Sequence, residues 1–288
     1  MKDLPKRALT ALIFGAVMIG GILWSRLSFS ILVFIINAGC LYEYLKLVRK
    51  FQKYSPGQST IAFSLTMICG VALHAAGLLL ANDPFVFLLA GFVLPMIILL
   101  IVAEFILNTE SKMKNALLNA GGIIYVSLFL FCFYVLAAPP FILDSSNTIE
   151  WFPRFASIPL GIVLIIWAND TFAYFSGSLL GKHKIAPAIS PKKSWEGFFG
   201  GMIFAIIAAW IISRFFFELN VADWMMIAFI IVVFGTTGDF FESFMKRKAG
   251  VIDSGNLLAG HGGFLDRFDA MLFCLPFVTL YMISSHGL

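Results

Sequence analysis

Runs of about 20 mostly apolar residues recur along this chain, and that is the length an α-helix needs to cross the hydrocarbon core of a bilayer. A helix satisfies its own backbone hydrogen bonds, which hydrocarbon cannot do, so each run is read as a helix. The runs lie near 8–25, 27–46, 60–81, 84–106, 116–138, 156–178, 198–217, 223–245 and 268–284. The reading is an all-α, polytopic integral membrane protein with about nine transmembrane helices. Composition agrees. Of the 288 residues, 60% are hydrophobic, 32 are phenylalanine and only 12% are charged, roughly half the charge of a soluble domain. The apolar stretch after Arg7 reads as a retained first span, since no small-residue cleavage site follows it. The first two spans share a short turn around Arg26 and should form a tight antiparallel pair.

Orientation follows from Lys and Arg, which concentrate in cytoplasmic segments. With the N-terminus inside, all of the 20 basic residues except Arg26, Arg154 and Arg214 fall on the cytoplasmic side. This asymmetry supports the same span count and sets the C-terminus outside.

Polar residues in so apolar a chain need a reason. Residues 1–150 offer few and read as a transmembrane scaffold. Glu43 and Glu104 sit near cytoplasmic helix ends, where water is within reach, and His74 reads as a packed, hydrogen-bonded histidine. Cys40, Cys69, Cys132 and Cys274 all lie in apolar runs without metal-type spacing and read as small buried hydrophobes.

Residues 151–288 read as the catalytic region. Asp170 falls inside a span, where a carboxylate costs at least ~2.5 kcal/mol on insertion scales, so it should line a polar pocket. The loop 181–197 holds Lys182, His183, Lys184, Lys192 and Lys193. Ser190, Pro191, Ser194 and Gly197 can turn the chain there and cap the next helix. Lysines beside a helix N-terminus suit a phosphate. The richest stretch is 238–269. Asp239, Ser243 and Lys246 or Arg247 share one helix face, and Glu242 lies among them. A loop with Asp253, Gly260 and His261-Gly262-Gly263 follows, and Asp266, Arg267 and Asp269 open the last span. Carboxylates at two adjacent helix ends can hold Mg2+, a hard cation that prefers oxygen. Lys and Arg neutralise phosphate, and glycines let the backbone approach a ligand. The pattern lacks C-x-x-C, H-E-x-x-H and Walker A motifs. A hydrolase triad from Ser243, His261 and Asp266 lacks the nucleophile-elbow context.

These residues resemble the phosphatidate cytidylyltransferase family, also called CDP-diacylglycerol synthases. The family signature is matched by Ser243, Lys246-Arg247, Asp253, His261-Gly262-Gly263, Asp266-Arg267 and Asp269. Two upstream elements match as well: Trp167, Asp170, Ala173, Tyr174 and Gly177, then Ser190 to Gly197. The likeness is strong over about 160–270 and elsewhere is only a pattern of spans. Two positions depart from the family, Ile252 for a usual Lys and Ala259 for a usual Pro, and the first removes a charge near the phosphate site.

The resemblance implies transfer of a cytidylyl group from CTP to phosphatidic acid, giving CDP-diacylglycerol and pyrophosphate for phospholipid biosynthesis. It implies Asp239, Asp266, Asp269, Ser243, Lys246, Arg247 and His261 as catalytic residues. Asp170, Ser190, Lys192, Lys193, Asp253, Gly262, Gly263 and Arg267 would bind substrate. Asp239, Asp266 and Asp269 would hold Mg2+, with a second cation also admitted. Partners would be CTP, phosphatidic acid and membrane lipids, with a homodimer to be considered and no nucleic acid. The site would face the cytoplasm from a bacterial inner membrane. The alternatives are a polyprenol or phytol kinase and, from another class, an ion-coupled transporter with Asp170 on its path. The clustering of polar groups on one side disfavours the transporter.

Overall fold

The computed structural model describes residues 4–54, 57–79, 86–107, 111–137, 154–255 and 262–286. The order of elements is α1 (Leu4–Leu23), α2 (Arg26–Val48), α3 (Gln58–Leu79), α4 (Val86–Leu107), α5 (Lys112–Gly122), a π turn (Ile123–Leu128), α6 (Phe129–Leu136), α7 (Arg154–Leu180), β1 (Lys184–Ala186), β2 (Ser190–Ser194), α8 (Trp195–Ile212), α9 (Val221–Ala249) and α10 (Leu265–His286). Each expected span falls on a helix. Among the described residues, seven helical segments are long and apolar enough to cross a membrane. The expected spans 8–25 and 84–106 coincide with α1 and α4, within which the shorter apolar stretches Thr10–Leu23 and Pro95–Ile106 are found. The protein is an all-α integral membrane protein.

The chain forms two compact units. One comprises Met1–Val135 with Lys248–Phe268, the other Leu136–Arg247 with Asp269–Leu288.

In the first unit α1 and α2 meet at a very short turn, as expected. Ser25 caps α2 in a reciprocal capping box with Ser28, and the Ser28 hydroxyl also donates to the Gly21 carbonyl at 3.0 Å. Tyr44 of α2 packs on α5 just before the π turn. Its hydroxyl donates to the Leu118 carbonyl at 3.1 Å, and its ring fills the space a Cβ on Gly122 would take. His74 is buried, its Nε2 3.0 Å from the Ser127 carbonyl. Of the four cysteines, Cys40, Cys69 and Cys274 are buried and Cys132 is half-buried. Both agree with the sequence reading.

Glu43 and Glu104 do not. The expectation that they reach water at helix ends is overturned, because they are only 1% and 2% exposed. Glu104 accepts hydrogen bonds from Asn119 and, at 2.7 Å, from the Tyr54 hydroxyl. Tyr54, in the loop after α2, covers Glu104, and Ser254 and Leu265 cover Glu43, so nearness to a helix end did not mean nearness to solvent.

In the second unit α7 and α8 pack closely through small residues. Gly201 has no room for a Cβ, which would stand 2.6 Å from Asn169 Oδ1. Gly177 and Gly197 face each other in the same seam. Small residues let membrane helices approach until their backbones pack. The segment 184–194, expected as loop, forms a short antiparallel hairpin. Lys184 pairs with Ser194 and Ala186 with Ser190, with a bulge between. As expected, Ser194 caps α8, accepting from Gly197 N at 3.2 Å.

Candidate functional site

The second unit gathers charge around Asp239. This residue lies in α9, and its carboxylate forms an ion pair with the Lys193 ammonium from β2. Lys193 also sits over the Phe240 ring, 5.0 Å from its centroid, so ring and carboxylate fix its position together. Asp170 of α7 lies within electrostatic reach of both Asp239 and Lys193. The buried Asn169 donates to its Oδ1 at 3.1 Å. Asp269 of α10 is 6% exposed and lies against Asp239, close enough for a hydrogen bond, with Glu242 also near. Its Oδ1 accepts from the backbone N–H of Ala270 at 2.8 Å.

Glycine makes this approach feasible. A Cβ on Gly238 would stand 2.6 Å from the Asp269 carbonyl oxygen. With hydrogen there instead, α9 and α10 come together where their carboxylates lie. Phe234 stacks on Phe277 with centroids 3.6 Å apart and supports the same contact.

Other expected site residues of the second unit lie on α9 and on the hairpin. Lys246 pairs with the buried Glu242 one helical turn away, and Glu242 is a carboxylate that the sequence reading placed in the stretch without a role. Ser243 is half-buried on the same helix, and Arg247 donates from Nε to the Ile189 carbonyl at 3.4 Å. Lys192 is exposed, and Ser190 is half-buried where it pairs with Ala186. His183 and Glu196 brace the hairpin. The His183 Nδ1 lies 2.6 Å from a Glu196 oxygen, and the His183 carbonyl accepts from Trp195 N at 2.9 Å.

The remaining site residues belong to the first unit. Asp266, in the first turn of α10, accepts from Gly263 N at 2.8 Å and from Ser254 N at 3.1 Å. Gly262 has φ +84, a conformation glycine adopts without strain. Asp253 and Arg267 are exposed. His261 lies outside the described residues, as does Ala259. The sequence reading missed Glu43. Its Oε2 accepts from the Ser254 hydroxyl at 2.8 Å and from Leu265 N at 2.9 Å. A charged residue in a buried helix was the available signal, and the nearby helix end hid it.

Among the described residues no group of three or more His, Cys, Asp or Glu side chains stands ready to hold a metal. The donors nevertheless fit a hard divalent cation in kind. Asp239 and Asp269 are carboxylates in contact, and two ionised carboxylates so close repel unless a proton or a cation lies between them. What the cluster can do chemically is hold cations against negative charge, through Lys193 and through carboxylate oxygens.

Comparison with known proteins gives the same direction. The model of the cytidylyltransferase family matches residues 5–285. A phosphatidate cytidylyltransferase of Staphylococcus haemolyticus is 46% identical over 123 residues, which cover 42% of this chain and 47% of that protein. Those of Staphylococcus saprophyticus and Staphylococcus aureus are 47% and 44% identical over 123 and 124 residues, with the same coverage. The match spans about half the length of these curated relatives. With the family model matched from near the first residue to near the last, the chain belongs to the cytidylyltransferase family.

Proposed function

We propose that this protein transfers a cytidylyl group from CTP to phosphatidic acid, yielding CDP-diacylglycerol and pyrophosphate. The observation that carries the reading is that Asp170 and Asp269 both lie close to Asp239, which pairs with Lys193, among apolar helices. A lipid phosphate and a soluble triphosphate need a site at a membrane surface that manages polyanions. The staphylococcal relatives bear the name of this activity.

The lipid phosphate oxygen bonds to the α-phosphorus of CTP while the bond from that phosphorus to the bridging oxygen of the leaving pyrophosphate breaks. A phosphate monoester is already nucleophilic at neutral pH, so the protein's work is positioning and charge neutralisation. Lys193, held by Asp239 and Phe240, presents its ammonium to a phosphate. Lys192 and Ser190 on the same hairpin add donors, and Lys246 and Arg247 neutralise further charge. Mg2+, held by Asp239 and Asp269, would shield the repulsion between the two substrates and the charge of the leaving pyrophosphate. The basic residues lie on the side assigned to the cytoplasm, where CTP is available, and the bacterial relatives favour the plasma membrane.

The test is CTP-dependent pyrophosphate release by the purified protein, with and without phosphatidic acid. The expected result is release that requires both. Phosphorylation of a lipid alcohol without pyrophosphate would instead identify a kinase and overturn the reading.

A further inference from the structure

We infer that Glu43, in the N-terminal half of the chain, is a positioning residue that holds the loop between α9 and α10 in its working shape. The inference rests on the function proposed above, because this loop carries part of the family signature.

A single carboxylate oxygen of Glu43 ties two separated parts of that loop. It accepts from the Ser254 side chain on one side and from the Leu265 backbone on the other. The fit is tight. Gly255 and Gly263 pack so closely on the carboxylate that a Cβ at either would overlap it. One turn earlier on α2, Gly39 makes room for the Phe264 ring, which a Cβ would meet at 2.8 Å. Gly39 and Glu43 therefore form one seat on one helix face, the first for a ring and the second for backbone and hydroxyl. Asp266 completes the hold from within the loop by accepting from Ser254 N and Gly263 N.

This arrangement does not look selected for stability. Glu43 is 1% exposed, and its Oε1 has no hydrogen-bond partner among the described residues. A buried polar atom without a partner is costly, and burying a charge more so. An apolar residue packed against α10 would avoid both costs. What an apolar residue cannot supply is an acceptor at the N-terminus of α10, where helix N–H groups lack partners and the helix dipole favours negative charge. The arrangement fixes the approach of the signature loop to its helix, and with it the directions of Gly262, Gly263, Asp266 and Arg267.

The experiment compares Glu43→Ala, Glu43→Gln and Ser254→Ala in the full-length protein in detergent or nanodiscs, with Glu104→Ala as a control for burial in the same unit. Two readouts are taken, kcat and KM for CTP, and amide hydrogen exchange at Ser254, Gly263 and Leu265. Glu43→Ala should lower kcat/KM for CTP about 100-fold, the scale of a displaced catalytic group, and speed exchange at the three amides. Glu43→Gln keeps an acceptor oxygen, so it should stay within about tenfold of the wild type. Glu43→Ala and Ser254→Ala should combine to less than the product of their separate effects, as partners in one interaction do. Glu104→Ala should leave exchange at these amides unchanged. Unchanged exchange and unchanged kcat/KM in Glu43→Ala would overturn the inference, as would multiplicative effects with Ser254→Ala. If Glu43→Ala fails to accumulate, Ser254→Ala and Glu43→Gln decide it by the same amide measurement. Should the wild type release no pyrophosphate, the proposed function fails, and the exchange data still test the role of Glu43 alone.

Discussion

Carboxylates in the two units keep different company. In the first unit Glu43 and Asp266 accept hydrogen bonds from backbone N–H groups and a hydroxyl. In the second unit Asp170 and Asp269 each lie close to Asp239, which pairs with the Lys193 ammonium. A carboxylate surrounded by donors shapes the chain. Carboxylates crowded together have bonding capacity to spare and are poised for something positive. Under the proposed function the contrast separates residues that hold the protein from residues that would hold its reactants, although Asp occurs in both sets.

The comparison breaks most visibly at Asp239. Asp239→Asn keeps the size of the side chain and removes its charge. It should cut turnover by about 100-fold or more and weaken the Mg2+ dependence, with expression in membranes retained. Near-normal activity at low Mg2+ would remove Asp239 from any ligand set. Asp266→Asn probes the boundary. Asn still accepts from Gly263 N, so a residue that only holds the loop should tolerate the change. The family resemblance gives Asp266 a metal as well, and the expected loss is therefore as deep as for Asp239. A loss of less than about tenfold, measured as pyrophosphate release over a Mg2+ titration, would assign it to loop holding alone. Lys193→Ala should act next in size, raising KM for CTP or for phosphatidic acid by roughly tenfold to a hundredfold, the range for hydrogen bonds to charged groups. An unchanged KM for both substrates would confine Lys193 to pairing with Asp239. Ser194→Ala should be mildest. It removes the cap of α8 and costs about 1 kcal/mol of stability, read as a small shift in thermal unfolding with KM little changed.

Much of the fold was legible because the bilayer limits the choices. Apolar runs of spanning length can be little other than helices there, and each expected run fell on one. The Ser194 cap was legible for a similar reason, since the Ser and the N–H it satisfies lie three residues apart. Asp170, Asp239 and Lys193 stood out as charges in apolar surroundings or beside a helix start. What escaped were pairings between distant residues. Glu43 meets Leu265 across 222 positions, and no local pattern announces such a partner. The hairpin escaped because its strands are too short to show an alternation of apolar and polar residues.

The bulge in that hairpin has a consequence for how the protein tolerates change. Pro191, Lys192 and Lys193 together oppose the single residue Ile185, so this stretch carries slack that the ladder does not take up. Pro191 has no N–H to contribute to a ladder, which suits it to a place outside the rungs. Lys193 is therefore aimed at Asp239 by the count of residues between Ser190 and the cap at Ser194 as well as by the Phe240 ring beneath it. Deleting Pro191 would draw the strand taut and turn the lysine away while leaving every charge in the protein in the sequence. Spacing, more than composition, is what this short segment has to preserve.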